Sequence, residues 1–424
     1  MKSTQNNKIL QLTESTLIVG IDVGKETHYA RAYNFRGIEL AKTLRFSNTA
    51  SGFESLDRWM DEIMQKHRLT DATVGFEPTG HYWFTLGDHL KRKGHRLGIV
   101  NPYHVKCTRE LDDNSPTKND RKDPHTIAML VKDGRYRETY IPEAVYQDLR
   151  EAVSEHERLK EQQSALSNQI QRWLDIRFPE FSEVFKAWTG KAALMVLKTC
   201  PTPEKIVSLG VDGVLQVWRK AMQKPSRTKA ERLIAVARGS IGRVDGAKAA
   251  VVGLNHLLAQ HQMSSQQSEE QETLLQELLL QVPNAAKLLK IKGVGMLTAA
   301  IIVSEIGDIH RFNDPKQILK MAGLALKENS SGKHKGKTTI SKRGRRLLRK
   351  GLFQCMISIL ASNPEFRAMH QRNLLREKNP LTKLQSVIAL CGKLVKVIYA
   401  ILVKGVEYSP EKMMNDMTRS MKAA

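Results

Sequence analysis

The sequence predicts an α/β domain followed by an all-α region whose last part is strongly basic. Three observations carry this. Short β-branched segments alternate with helical patterns up to about residue 102. A seam of apolar residues in steps of three and four follows. The final third then holds most of a formal net charge of +23.

The α/β part begins with TLIVGIDV (16–23), a β-branched apolar run that ends at an aspartate. HYARAY (28–33) and LAKTLRF (40–46) are further strands with short connections. SGFESLDRWMDEIMQKH (51–67) places Phe53, Leu56, Trp59, Met60 and Ile63 at helical spacing. ATVGFEP (72–78) is a strand stopped by Pro78, FTLGDHLKRKG (84–94) a helix closed by Gly94, and RLGIVNP (96–102) another buried strand. Three strands, helix, strand, helix, strand is the order of a mixed sheet with helices on it.

A chain of 424 residues predicts two or three domains, with boundaries at 1–142, 143–285 and 286–424. The middle section opens with Leu149, Ala152, His156, Leu159, Gln163, Leu166, Ile170 and Trp173, a polar-diluted heptad seam. A second long helix runs through LLQELLLQV (274–282), beginning near Val251. The pair reads as an antiparallel coiled coil enclosing a small helical insert at about 177–248. After residue 286, helices are expected at KLLKIKGVGMLTAAIIVSEIGDI, 315–323, 345–361 and 380–404, around a Gly- and Ser-rich segment, LKENSSGKHKGKTTISKRGRR.

Charge is concentrated. Residues 1–142 carry 22 basic and 18 acidic side chains, residues 143–285 carry 18 and 17, and residues 286–424 carry 27 and 9. So cationic a terminal domain calls for a polyanion, with nucleic acid first and an anionic membrane surface second. Hydrophobic residues make up 41%, which excludes wholesale disorder. Cys107, Cys200, Cys355 and Cys391 form no C-x-x-C pair, so neither a disulfide framework nor a zinc site is expected. The N-terminal stretch has no apolar signal region and the apolar runs are short or broken by charge. A cytoplasmic protein with no membrane span is the expectation.

Carboxylates stand where chemistry collects. Asp22 ends the first strand in GIDVGK and Glu77 the fourth in GFEPTG; Asp120 and Asp123 lie in KNDRKDPHT at a helix start. Their i,i+3 spacing would put the last two on one helical face. Strand ends in such sheets converge on one edge. Four carboxylates there would repel unless a divalent cation neutralised them, and oxygen-only ligation suits Mg²⁺ or Mn²⁺. By spacing alone a strand-terminal aspartate is more often a solvated loop residue or helix cap than a metal ligand, and GIDVG also fits a sugar kinase-like phosphate loop.

These segments, in this order, are similar to one family. GIDVGKETHYA, FEPTGHYWFTL, NPYHVKCTRE and KNDRKDPHTIAML resemble the RuvC-like domain of DEDD transposases of the insertion sequence 110 family, relatives of the pilin-gene invertases. IKGVGMLTAAIIVSEIGDIHRF and KMAGLALKENSSGKHKGKTTISKRGRRLLRKGL resemble that family's C-terminal domain, and the likeness spans about 16–410. It implies an RNase H-like N-terminal fold, a D-E-D-D set at Asp22, Glu77, Asp120 and Asp123 holding Mg²⁺ or Mn²⁺, and a serine nucleophile at Ser331. Ser330 remains an alternative, since two serines precede Gly332; the offset from Gly323 favours Ser331. It further implies strand cleavage and rejoining through a phosphoserine, with the serine beside a DEDD site of the same or another subunit. Double-stranded DNA (element ends and target), a structured bridge RNA and a homodimer or homotetramer complete the expectation. Nothing in the sequence itself shows RNA binding.

Without the likeness, Ser330–Ser331–Gly332 reads as a flexible linker loop. Beside it, Lys333, Lys335 and Lys337 could neutralise a phosphate, as could Lys342 and Arg343 in SKRGRRLLRK. Lys292, Gly293 and Gly295 in IKGVGML fit the hairpin of a helix-hairpin-helix, where backbone N–H groups meet phosphate, and equally an ordinary helix start. A Holliday-junction-type nuclease using water, a DNA invertase and an inactive DNA-binding scaffold are the alternative functions.

Overall fold

The structure is a computed structural model. It describes residues 2–78, 80–113, 122–138, 140–142, 144–327, 330–331, 334–335, 338–413 and 415. The chain forms two compact units, Met1–Ile141 and Pro142–Ala424.

In the first unit, helix α1 (Lys2–Leu10) precedes β1 (Thr16–Val23), β2 (Thr27–Tyr33) and β3 (Leu44–Ser47). Then come α2 (Ala50–His67), β4 (Asp71–Phe76), α3 (Trp83–Arg92), β5 (Arg96–Val100), α4 (Pro102–Asp113), α5 (Asp123–Lys132) and β6 (Tyr136–Glu138). The six strands form one sheet in the order β3-β2-β1-β4-β5-β6, with β1, β4 and β5 parallel and the remaining pairs antiparallel. The α/β reading of this region stands. Strand alternation sorts its two faces. Leu17, Val19, Ile21, Val74, Phe76 and Phe46 point to the side covered by α2 and α3. Ile18 and Tyr33 point to the side covered by α5, with Ile127, Ala128 and Val131.

That second face is shaped by missing side chains. Gly20, Gly75 and Gly98 are register partners across β1, β4 and β5. A Cβ on Gly20 would stand 2.0 Å from the Pro124 carbonyl oxygen and 2.7 Å from the Ala128 nitrogen. One on Gly75 would stand 2.3 Å from Val131 Cγ2. The helix therefore lies on bare backbone, closer than side chains would allow. His125 Nδ1 lies 2.9 Å from the Tyr33 hydroxyl, a tie between α5 and β2, and burial pushes the Tyr33 phenol up.

The second unit is helical. It runs through α6 (Val145–Arg177), α7 (Phe181–Val184), α8 (Lys191–Thr199), α9 (Pro203–Arg219), α10 (Arg227–Arg238) and α11 (Ala247–Gln281). After a 3₁₀ turn at Ala285–Lys290 follow α12 (Met296–Ile306) and α13 (Pro315–Met321). Two small ladders come next, β7 (Leu326–Lys327) with β10 (Thr339–Ile340) and β8 (Ser330–Ser331) with β9 (His334–Lys335). The unit closes with α14 (Arg346–Ser362), α15 (Pro364–Leu374) and α16 (Lys383–Lys404).

Helices α6 and α11 pair antiparallel: His156 Nε2 lies 3.3 Å from Glu272, Gln163 donates to the Ser264 carbonyl at 2.9 Å, and Trp173 Nε1 to that of Ala250 at 2.8 Å. At one end Ile170, Trp173 and Leu174 join the core of α7–α10. At the other, Leu149, Ala152 and Val153 join the core of α12–α16. α16 is long and apolar enough to cross a membrane by length and composition; its Leu390, Leu394, Ile398 and Ile401 are packed in that core. Thr382 and Gln385 form a capping box that fixes where it starts.

Candidate active site and nucleic-acid interface

Strand ends build the candidate site. Asp22 is the penultimate residue of β1, and Ile21 is the register partner of Phe76, the last residue of β4. Continuing that register by one residue puts Glu77 beside Asp22. Asp123 opens α5, where Pro124 suits only the first turn and so fixes the helix start. The glycines under α5 hold that end against β1. Asp22, Glu77 and Asp123 thus line one cavity of about 420 Å³, with Tyr29, Lys106 and Arg109.

α5 begins at Asp123, and Asp120, the fourth expected carboxylate, lies outside the described residues. Among the described residues no group of three or more His, Cys, Asp or Glu is gathered tightly enough to hold a metal ion. Arg109 Nη1 donates to Asp123 at 3.0 and 3.3 Å, and both side chains are largely buried. The guanidinium supplies the positive charge that a cation would otherwise bring. The donor chemistry, hard carboxylate oxygens facing one cavity, still fits a divalent cation.

Sequence reasoning passed over Lys106, Arg109 and Tyr29. The first two were signalled, since a helix opening at Pro102 puts Lys106 and Arg109 at i,i+3 on one face. Tyr29 is the register partner of Asp22, a relation only the pairing reveals.

In the second unit, Ser330 and Ser331 are strand residues of the β8–β9 ladder, paired with Lys335 and His334. The expected loop is a pair of two-residue ladders. Such ladders are set by backbone hydrogen bonds and need no apolar period, so the sequence pattern did not show them. Gly332, Lys333 and Lys337 lie outside the described residues. Gly293 adopts φ 96°, and a Cβ there would meet Ile359 Cα at 2.6 Å, so it lets the turn pack on α14. Gly295 caps α12 with open space around its Cβ position, and Lys292 beside it is exposed.

The basic run divides by partner. Arg345 Nη1 lies 3.4 Å from Glu305, Arg349 donates to the Ala322 carbonyl at 2.9 Å, and Lys350 pairs with Glu157 at 2.5 Å. Lys342, Arg343 and Arg346 are exposed and form no ion pair among the described residues. Lys342 sits at φ 53°, donating its backbone N–H to the Gly323 carbonyl at 3.0 Å.

A mixed sheet with carboxylates at adjacent strand ends, in a chain this basic, describes an enzyme that works on nucleic acid. The comparisons give the class: transposase. The family model of the DEDD transposases of IS110 matches residues 19–179, and that of the transposase IS116/IS110/IS902 family matches residues 285–371. Together they span more than half of the chain, which belongs to this family of DNA-recombining transposases. The pilin gene-inverting protein of Moraxella bovis is 23% identical over 92% of this chain and 96% of its own. The mini-circle putative transposase for IS117 of Streptomyces coelicolor is 23% identical over 75% and 78%. The transposase for insertion sequence element IS1111A of Coxiella burnetii is 22% identical over 73% and 72%.

Proposed function

We propose that this transposase moves an insertion sequence by cutting and rejoining DNA through a phosphoserine on Ser331. The observation that carries the reading is the meeting of Asp22, Glu77 and Asp123 at one cavity, inside the segment that matches the DEDD family. The order β3-β2-β1-β4-β5 with β1, β4 and β5 parallel supports an RNase H-like fold for the first unit. The three carboxylates, with Asp120, would hold Mg²⁺ or Mn²⁺, which when bound neutralises phosphate charge and stabilises attacking and leaving oxygens.

The chain's own groups do the rest. Ser331 Oγ loses its proton and forms a bond to phosphorus. The phosphodiester's sugar oxygen leaves with that bond's electrons and takes up a proton. A hydroxyl of the incoming strand later displaces the serine, so the ester conserves the energy for rejoining and no ATP is needed. Gly332 after the nucleophile lets backbone come near DNA. Lys292, Lys333, Lys335, Lys337, Lys342 and Arg343 supply phosphate neutralisation, and the backbone at Gly293 and Gly295 approaches phosphate. A structured bridge RNA as guide, and a dimer or tetramer joining two duplexes, belong to the same reading.

The test is mass spectrometry of the covalent complex formed on a nicked substrate that contains the element's own end. A nucleotide on Ser331, absent in Ser331→Ala and in Asp22→Asn, is expected. A nucleotide on Ser330 moves the assignment by one residue. Metal-dependent cleavage with no adduct overturns the serine mechanism and leaves a nuclease.

A further inference from the structure

Two concavities of the first unit meet at one residue. Tyr29 lines the carboxylate cavity, and it also lines a groove of about 790 Å³ with Arg31, Lys42 and Arg45. The register explains why. Asp22 pairs with Tyr29 across β1 and β2, and Tyr29 pairs with Arg45 across β2 and β3. Partners in register share a sheet face. Arg45, Tyr29, Asp22 and then Glu77 therefore form one row that crosses four strands.

The row changes character along its length. At the β4 end are carboxylates. At the β3 edge Arg45 and Lys42 are exposed and form no ion pair among the described residues. Arg31 is different: it is tied to Glu39 by hydrogen bonds from Nε and Nη2, both 2.7 Å. Between acid and base stands Tyr29, partly exposed and lining both cavities, a ring of the kind on which a base can stack. α5 covers the sheet farther down, over Gly20 and Gly75, and the two cavities lie at this end of the face.

We propose that this groove holds the single-stranded DNA next to the bond being cut, with backbone phosphates on Arg45 and Lys42 and one base stacked on Tyr29. The proposal rests on reading the carboxylate cavity as the cutting site. Two strand spacings separate Asp22 from Arg45, about 10 Å. That is about three steps of a B-form strand at 3.4 Å each, and fewer for an extended one. DNA rather than a guide RNA is the occupant because the row runs straight into the carboxylates, where the strand to be cut must lie. Tyr29, Lys42 and Arg45 are positioning residues: they fix which phosphate reaches Asp22.

The experiment uses the full chain and a fluorescent single-stranded DNA oligonucleotide of the element's end, with affinity measured by anisotropy at several salt concentrations. Arg45→Ala and Lys42→Ala should each weaken binding several-fold and reduce the slope of log K against log salt by about 0.7. Tyr29→Ala should weaken it roughly tenfold, while Tyr29→Phe, which keeps the ring, binds as wild type. Lys66→Ala, exposed on α2 over the opposite face, should change nothing.

A second arm steps one neutral methylphosphonate along the strand and follows adduct formation. It should impair wild type at one or two positions near the scissile bond and be without further effect there in Arg45→Ala. Unchanged single-strand affinity in Arg45→Ala and Tyr29→Ala overturns the proposal. So does loss of affinity confined to an RNA oligonucleotide of the same sequence, which would give the groove to RNA. If adducts form but the methylphosphonate pattern is the same in Arg45→Ala, this inference falls alone. If no adduct forms in any protein, the serine mechanism falls, and the binding arm still decides the groove.

Discussion

The Arg109 guanidinium holds the Asp123 carboxylate at 3.0 Å in a site where only 7% of the aspartate side chain is exposed. Removing the arginine leaves a nearly buried charge without its counter-charge. Arg109→Ala should destabilise the protein by about 2 kcal/mol, below the 3–5 kcal/mol of fully buried pairs because the cavity is open to water. Added Mg²⁺ or Mn²⁺ should raise the melting temperature of Arg109→Ala more than that of wild type, since the cation takes over the arginine's charge. Equal metal-induced shifts in the two proteins would refute the exchange of guanidinium for cation.

Gly20→Ala tests the packing under α5. Its methyl group would overlap the Pro124 carbonyl, 2.0 Å away, so the helix must move off the sheet and carry Asp123 with it. A loss of about 2–3 kcal/mol is expected, together with loss of strand cleavage. Hydrogen exchange should speed up in α5 peptides and stay unchanged in α12–α16. Wild-type cleavage in Gly20→Ala would show that the close contact does not set the site.

The basic run of α14 and the turn before it should separate into two kinds of residue. Lys342→Ala, Arg343→Ala and Arg346→Ala should each lower the slope of log K against log salt for duplex DNA by about 1 and leave thermal stability alone. Lys350→Ala should do the reverse, because Lys350 pairs with Glu157 of α6. A common salt slope across all four variants would count against this division.

Acid should act on the first unit through Asp57. Burial works to raise its carboxyl, but hydrogen bonds from Lys93 and His89 outweigh it and hold the group below the ordinary carboxylate range. A depressed carboxyl contributes stability that is present above the unfolded value, about 3.9, and is lost as the pH falls through the folded one. Urea midpoints should therefore drop more steeply below about pH 4 in wild type than in Asp57→Asn. Parallel curves would remove Asp57 from the acid response.

What the sequence disclosed depends on how local each signal is. TLIVGIDV reads as a strand because both its faces are covered and nearly every residue is apolar. α2 reads as a helix because its buried residues fall on one stripe. By contrast, α4 is mostly polar and ends in Asp112 and Asp113, and β6 is three residues long at a sheet edge, so neither stands out. The carboxylates Asp22 and Glu77 were visible as strand ends. The glycines that seat α5, the Arg109 partner of Asp123 and the row from Glu77 to Arg45 were not. Each is a relation between strands or helices, and no single window of sequence contains it.

The polar stretch between α6 and α11 has a consequence for heating. Val153 lies in one hydrophobic core and Ile170 in another, with about 25 Å of helix between them. Along that stretch Leu159 and Leu166 are buried, but so are His156, Ser264 and Ser268, and His156 Nδ1 and Ser268 Oγ lack hydrogen-bond partners. Cooperativity is carried by continuous apolar packing, and here it is thinned. The α7–α10 module should therefore melt as its own calorimetric transition, ahead of or behind the α12–α16 core. Replacing His156, Ser264 and Ser268 with leucine should merge the two heat-absorption peaks into one.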